Sequence, residues 1–408
     1  MKNSNIKNDA IVFTILLMFI GQNLLTSFLP DFILFHILPA FYFAFLLFFK
    51  NIKSAFKRNN YISLSLLLVF VVLAIFNKST KREVDFPMFL NSLVLPVFIV
   101  SVFRQSSFLN DVKLRLRLKK IVTTFFLINA VWAVFERILL FNAIPFVYDG
   151  EVSMFDEVQS FSSSSLFGHR LANSLVMTTI MIFILFDKNQ TIEKRLKLYT
   201  VGMMAFFCYN SRFFIFYNSL CFIFFVIYNL TSDNILSLKT KRRLLSLSIM
   251  ILIVGLIAVF KFNIAGRLLL GMEDDDGSAE ARLQILEIFD FFSIKDFVFG
   301  ITDTDVESLY ISAGLKIINE NCWIIFLMRF GLLFEMMIIT LYFFLIKKVM
   351  QPYDRFVRLF IPISFFICIS SFNSIATKEG YIGIFIFIAL VCYPFGIENK
   401  QKHIEHIV

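Results

Sequence analysis

The chain has 408 residues, of which 58% are hydrophobic and only 17% charged, and phenylalanine alone occurs 56 times. Few water-soluble folds could hide that much apolar side chain, so the composition points to a membrane protein. The formal net charge of +9 is scattered over short polar breaks with no single basic face, which argues against nucleic-acid binding.

A hydrocarbon core of about 30 Å takes roughly 20 apolar residues as helix, and backbone groups in lipid must be satisfied within the segment. The sequence therefore predicts about twelve helical spans. They lie near Ile11–Phe28, Phe32–Phe49, Tyr61–Phe76, Phe86–Phe103, Ile121–Phe141 and Leu171–Phe186, then near Leu198–Tyr209, Phe213–Tyr228, Leu244–Phe260, Trp323–Leu345, Leu359–Phe372 and Ile382–Tyr393. The first has no small-residue cleavage site after it and is read as a retained span. The short alternating segments of a membrane barrel are absent. The expected fold is an all-α, polytopic membrane helix bundle, one integral membrane domain over residues 1–408, with extracytoplasmic loops at 142–170 and 262–321.

Charge sets the orientation. With the N-terminus in the cytoplasm, the inner segments hold 26 of the 39 lysines and arginines, which favours both termini inside and the long loop outside. Lys78, Lys81 and Arg82 are the dissenting group. The five cysteines sit in or at the ends of spans, with no spacing that suggests a disulfide framework or metal site. No internal repeat, Gly-rich phosphate loop or nucleotide-binding motif occurs, so energy from ATP is not indicated and no cofactor is expected.

Chemistry-bearing residues gather on the predicted outer face. The first of its two long loops ends in a serine run, Ser162 to Ser165, and leads into Gly168-His169-Arg170-Leu171-Ala172-Asn173, which opens the sixth span. A helix N-terminus favours an anion, and an arginine there adds a bidentate fork for phosphate. An interfacial arginine on lipid headgroups is the alternative, and His169 reads as a hydrogen-bonding interface residue or a base. Asn210-Ser211-Arg212 breaks two apolar runs with almost no loop, placing Arg212 at the membrane boundary as a snorkelling residue or as part of a positive cavity. Arg137, near the outer end of the fifth span with Glu136 beside it, lies outside every motif.

In the long loop, Arg267 and Arg282 accompany an acidic run, Glu273 to Asp276, that lacks the ligand spacing of a calcium loop. Glu280 to Phe292 has helical amphipathic character, with Ala281, Ile285, Ile288, Phe289 and Phe292 on one face. The loop returns through Asn319-Glu320-Asn321-Cys322-Trp323, and Arg329-Phe330-Gly331 follows inside the tenth span. Glu320 reads as a proton acceptor at a water–membrane boundary or as a cap or salt-bridge partner.

Over roughly residues 120 to 350, the order of these motifs resembles the O-antigen polymerase and ligase superfamily of bacterial polysaccharide assembly. The matching pieces are Gly168 to Asn173, Ser211-Arg212, Ala281-Arg282, Glu320 to Trp323 and Arg329-Phe330-Gly331. The resemblance implies a GT-C-like helical glycosyltransferase of the bacterial cytoplasmic (inner) membrane with its active site on the extracytoplasmic face. Its donor would be an oligosaccharide on undecaprenyl pyrophosphate, with no metal or nucleotide sugar, and a chain-length regulator protein is among the implied partners. Arg170, Arg212 and Arg282 would hold the pyrophosphate, Glu320 or His169 would take a proton, and Asn173, Arg267, Asn321 and Arg329 would help to bind substrate. Ligases of the superfamily use a histidine in the long loop. This chain has only His36, His169, His403 and His406, so the resemblance favours a polymerase. Family members often carry proline after the histidine, where this chain has Arg170. Ligase, or a flippase for the same lipid-linked sugars, is the alternative.

Overall fold

The computed structural model describes residues 88–105, 112–144, 147–148, 151–152, 161–231, 237–262, 285–301, 308–309, 321–371 and 380–392. The first three predicted spans and most of the long loop lie outside the described residues. Ten helices make up almost all of the rest. They are α1 (Leu95–Gln105, preceded by a π-helical turn at Phe89–Val94), α2 (Val112–Leu139), α3 (Arg170–Leu185), α4 (Ile192–Tyr209) and α5 (Arg212–Thr231). They continue as α6 (Leu238–Phe262), α7 (Ile294–Phe299), α8 (Cys322–Met350), α9 (Arg355–Ile369) and α10 (Tyr381–Val391). Two-residue strands, Val147–Tyr148 and Glu151–Val152, pair antiparallel. Among the described residues, the apolar runs from Phe86–Phe103 onward fall on helices.

Three of these helices, α2, α5 and α8, are long and apolar enough to cross a membrane, judged among the described residues. Their polarity is inverted relative to a soluble helix. On α2, Ile128, Phe135 and Ile138 are exposed while Asn129 and Glu136 are buried. On α5, Phe216, Ile223 and Ile227 are exposed while Asn218 and Asn229 are buried. A stripe of large apolar side chains facing outward, with amides and a carboxylate facing in, suits lipid as the surrounding solvent.

The described residues divide into two compact units, one drawn from Met1–Leu116, Asp274–Gln351 and Pro362–Leu390, the other from Arg117–Glu273, Pro352–Ile361 and Val391–Val408. In the second unit α2 to α5 run alternately up and down. At one end Lys119 of α2 forms an ion pair with Asp187 just past α3, and Arg195 of α4 donates to the Leu185 carbonyl at 2.9 Å. At mid-height the Asn218 amide of α5 donates to Thr178 of α3 at 2.8 Å. In lipid, where apolar burial between helices drives little, such bonds and close packing of small residues hold a bundle, each bond contributing about 0.6 to 2 kcal/mol. Gly202 of α4 is one such small residue: a Cβ there would stand 2.7 Å from the Met181 sulfur and 2.8 Å from the Phe126 ring.

In the first unit, α8 breaks at Gly331, whose φ of 77° and ψ of 169° lie outside helical space. The loop segment crosses α8 at that break, backbone against backbone. A Cβ on Gly331 would lie 2.3 Å from the Val298 carbonyl oxygen, and one on Gly300 2.6 Å from that of Arg329. Ile301 N–H donates to the Met328 carbonyl at 2.8 Å, satisfying a group the break would otherwise strand. The amphipathic stretch is a 3₁₀ turn over Ile285–Phe291. Its Ile288, with Phe289 and Phe292, packs on Met328 and Ile324 of α8, so this face covers a helix. In the π-helical turn ahead of α1, the Ser92 carbonyl accepts from Tyr342 Oη at 2.9 Å.

Candidate functional site

Arg170 and Arg212 each stand at the first position of a helix, α3 and α5. These helices run parallel: their far ends meet through Phe186 and Tyr228, ring centroids 5.8 Å apart. The Thr178–Asn218 bond sets their relative height. Arg170 lies eight residues above Thr178 and Arg212 six above Asn218, about 12 and 9 Å at 1.5 Å per residue. The two arginines therefore top neighbouring helices within about one helical turn of each other. Each helix start also presents peptide N–H groups with no intrahelical acceptor and the positive end of its dipole.

Local sequence explains both starts. Gly168 takes φ 63°, a left-handed value, and turns the chain after the 3₁₀ turn Ser165–Phe167. His169 is then extended, and its carbonyl accepts from Asn173 N at 3.1 Å to open α3. At the other start Asn210, also left-handed at φ 52°, closes α4, and the Ser211 carbonyl accepts from Ile215 N at 3.0 Å. Asparagine tolerates that conformation better than most residues, so two residues suffice to reverse the chain.

Beneath these starts lies a buried polar knot around the serine run. Glu136, 3% exposed, accepts from Ser163 Oγ at 2.5 Å, Ser165 N at 2.8 Å, Ala143 N at 3.1 Å and Trp132 Nε1 at 3.1 Å. Asn129 accepts from Ser165 Oγ at 2.7 Å through its side-chain oxygen and donates to Tyr209 Oη at 3.0 Å. Asn142 donates to the Ser162 carbonyl at 3.1 Å and accepts from Ser164 N at 3.2 Å. Ser163 N donates to the Cys208 carbonyl at 2.9 Å, tying in the end of α4. Asn173 donates to the carbonyls of Ser164 and His169, the latter at 3.0 Å, which anchors the first turn of α3 to the serine run.

Arg137 belongs to this knot. It donates to the Phe161 carbonyl at 2.5 Å and lies over the Phe161 ring, 5.8 Å from its centroid. Read from sequence it stood outside every motif; the reason it does not is that the end of α2 turns it toward the segment that precedes α3. Asn210 approaches the same carbonyl at 3.5 Å. The signal for both Glu136 and Arg137 was two adjacent charges at the end of an apolar span, which are costly unless they face a polar interior.

Backbone strain converges here too. Leu140, Ser165 and Asn210 have φ of 51°, 43° and 52°, and among the described residues they alone among non-glycines have positive φ. All three lie in the end of the unit that carries Arg170 and Arg212. Such conformations cost of order 1 to 3 kcal/mol each and persist where the surroundings over-determine them, as at functional sites.

His169 retains partial exposure, yet burial, and secondarily the adjacent Arg170 charge, depress its pKa to about 4. It is neutral at pH 7 and a weaker base than free histidine, so hydrogen bonding suits it better than proton abstraction. Arg212 Nε is buried and has no acceptor among the described residues, and neither does the Asn173 side-chain oxygen find a donor there. A buried donor of this kind is relieved by an anion or a water.

Asn321 and Arg329 lie in the other unit. Asn321 caps α8, accepting from Trp323 N at 2.9 Å and Ile324 N at 3.4 Å. Arg329 stands two residues before the Gly331 break. Arg267, Arg282 and Glu320 lie outside the described residues. No family model, curated protein or solved structure matches the chain.

Proposed function

We propose that this chain is an oligosaccharide repeat-unit polymerase of the bacterial cytoplasmic membrane, a multi-pass glycosyltransferase of surface polysaccharide synthesis. It transfers a growing glycan from undecaprenyl pyrophosphate to a lipid-linked repeat unit on the extracytoplasmic face. The supporting observation is the pairing of Arg170 and Arg212 at adjacent helix starts above a strained, buried polar knot. Two forked cations and two sets of free peptide N–H groups suit an anion carrying two phosphates.

In the proposed reaction the pyrophosphate binds between these arginines, with Arg282 from the long loop completing the set. A hydroxyl oxygen at the non-reducing end of a new lipid-linked repeat attacks the anomeric carbon of the growing chain. The bond from that carbon to the pyrophosphate oxygen breaks, and undecaprenyl pyrophosphate leaves with the electron pair. Arginine stabilises the charge that develops on the leaving oxygen, a contribution largest in a partly dry site. Glu320 accepts the hydroxyl proton, while His169, neutral and weakly basic, orients a hydroxyl by hydrogen bonding. Asn173, Arg267, Asn321 and Arg329 contribute binding. The remainder of the proposed architecture is a GT-C-like bundle of about twelve spans with the long loop outside, sized by the hydrocarbon thickness.

A deletion strain tests this reading against transport. Loss of long chains with single repeats still exported to the surface is expected. Absence of exported repeats, with lipid-linked units accumulating inside, would contradict it.

A further inference from the structure

At the opposite end of the second unit from the arginine pair lies a cavity of about 540 Å³. It opens where α3 ends, α4 begins, α5 ends and α6 begins. Phe186 and Tyr228 supply an apolar wall, and Lys188, Gln190, Arg195 and Thr240 supply polar lining. Arg195 is more than nine-tenths buried, held by the Leu185 carbonyl at 2.9 Å and by the Phe225 ring at 5.5 Å. Its guanidinium lines the cavity, while its Nε and the side-chain oxygen of Gln190 are buried with no partner among the described residues. The first amides of α4, an 18-residue helix capped by Thr191, add donors with no intrahelical acceptor.

The charge around the cavity is positive. Lys188, Arg195 and Glu193 line it, and the segments 187–197 and 237–243 that bound it also carry Lys194, Lys197, Lys239, Lys241, Arg242 and Arg243 against Asp187, with Asp354 beside Lys188. Each of these acids already holds a cation: Asp187 pairs with Lys119, Glu193 with Arg243 at 2.5 Å and Asp354 with Lys188 at 3.0 Å. Glu193 also lines the cavity, and its pairing with Arg243 limits its repulsion of an anion. The remaining bases, Arg195 among them, leave these segments with uncompensated positive charge, and an ammonium has three N–H donors, so the pairing with Asp354 does not exhaust Lys188. Basic pockets between membrane helices select the phosphates of anionic lipid headgroups.

We infer that this cavity binds an anionic phosphate, one with no choline or other cation attached, seated between Lys188, Arg195 and the start of α4, with its glycerol or solvent side against Phe186 and Tyr228. The site is separate from the proposed reaction and does not depend on it.

The test uses the full-length protein in phosphatidylcholine nanodiscs, read by thermal unfolding and by native mass spectrometry of bound ligand. Adding phosphatidylglycerol or, separately, inorganic phosphate is expected to raise Tm by about 3 °C or more through preferential binding to the folded state. An effect of phosphatidylglycerol alone identifies a lipid headgroup, and an equal effect of inorganic phosphate identifies free phosphate. Lys188→Gln removes a lining charge, and Thr240→Leu fills the cavity without changing charge. Both variants are expected to lose the shift and the bound species at least tenfold. An equal rise on adding further phosphatidylcholine, or full retention of the shift in both variants, overturns the inference. Retention in Thr240→Leu with loss in Lys188→Gln also overturns it, because diffuse surface attraction would then suffice.

Discussion

Arg170→Ala and Arg212→Ala are each expected to reduce chain extension on the order of 100-fold or more, because a charge-assisted contact to a leaving group in a partly dry site contributes several kcal/mol at the transition state. Lysine at either position should recover only part of the rate, since a point charge cannot reproduce the bidentate fork. The comparison variant is Lys197→Ala. Lys197 is exposed on α4 toward the opposite end of the unit, and its loss should leave extension unchanged. The measurement is the length distribution of surface polysaccharide at matched membrane abundance of each variant. Long chains from both arginine variants at normal abundance would remove the pyrophosphate role and leave the arginines as interfacial anchors. Arg137 is not a fair comparison, because its bond to Phe161 makes it part of the support for the same end.

Glu136→Ala carries the largest expected effect on stability. The carboxylate accepts from four donors, two of them peptide N–H groups. Removing it strands Ser163 Oγ and Ser165 N–H in a buried setting, at about 1 to 3 kcal/mol for each unsatisfied group. A total loss of about 3 to 5 kcal/mol is expected, the range seen when one side of a buried charged network is deleted. Glu136→Gln keeps one acceptor but turns an amide N–H₂ toward donors, so it should fall between wild type and alanine. Glu287→Ala, at an exposed carboxylate, is the comparison. Denaturant unfolding in detergent reads the difference, and a loss below about 1 kcal/mol for Glu136→Ala would show that the knot does not bear on the fold.

Much of the helical layout was legible in the sequence because the apolar runs are long and their polar breaks short. The run Phe213–Tyr228 became α5, and Trp323–Leu345 became the body of α8. Arg170 and Arg212 were legible as residues at span entrances, since each stands directly before a long apolar run. The knot was not. Serines 162 to 165 read as a polar loop because serine is common in loops, and nothing in their order says that a carboxylate 26 or more residues earlier accepts from them. Glu136 and Arg137 read as neighbours at the end of a span outside every motif, whereas each binds a different part of the loop. The break at Gly331 escaped for another reason. Glycine is frequent in membrane helices, and only the approach of Val298 and Gly300 from the loop gives this one a left-handed φ. Tertiary approach of distant backbone leaves no local pattern to read.

Whether the chain forms glycosidic bonds, as proposed, is decided in proteoliposomes. Purified protein would be supplied with a single lipid-linked repeat unit, in the presence of EDTA and without nucleotide sugar. A ladder of chains rising by whole repeats is expected, with one undecaprenyl pyrophosphate released for each repeat added, and both are lost in Arg170→Ala. Movement of the repeat unit across the bilayer with no chain longer than one repeat would contradict the proposal.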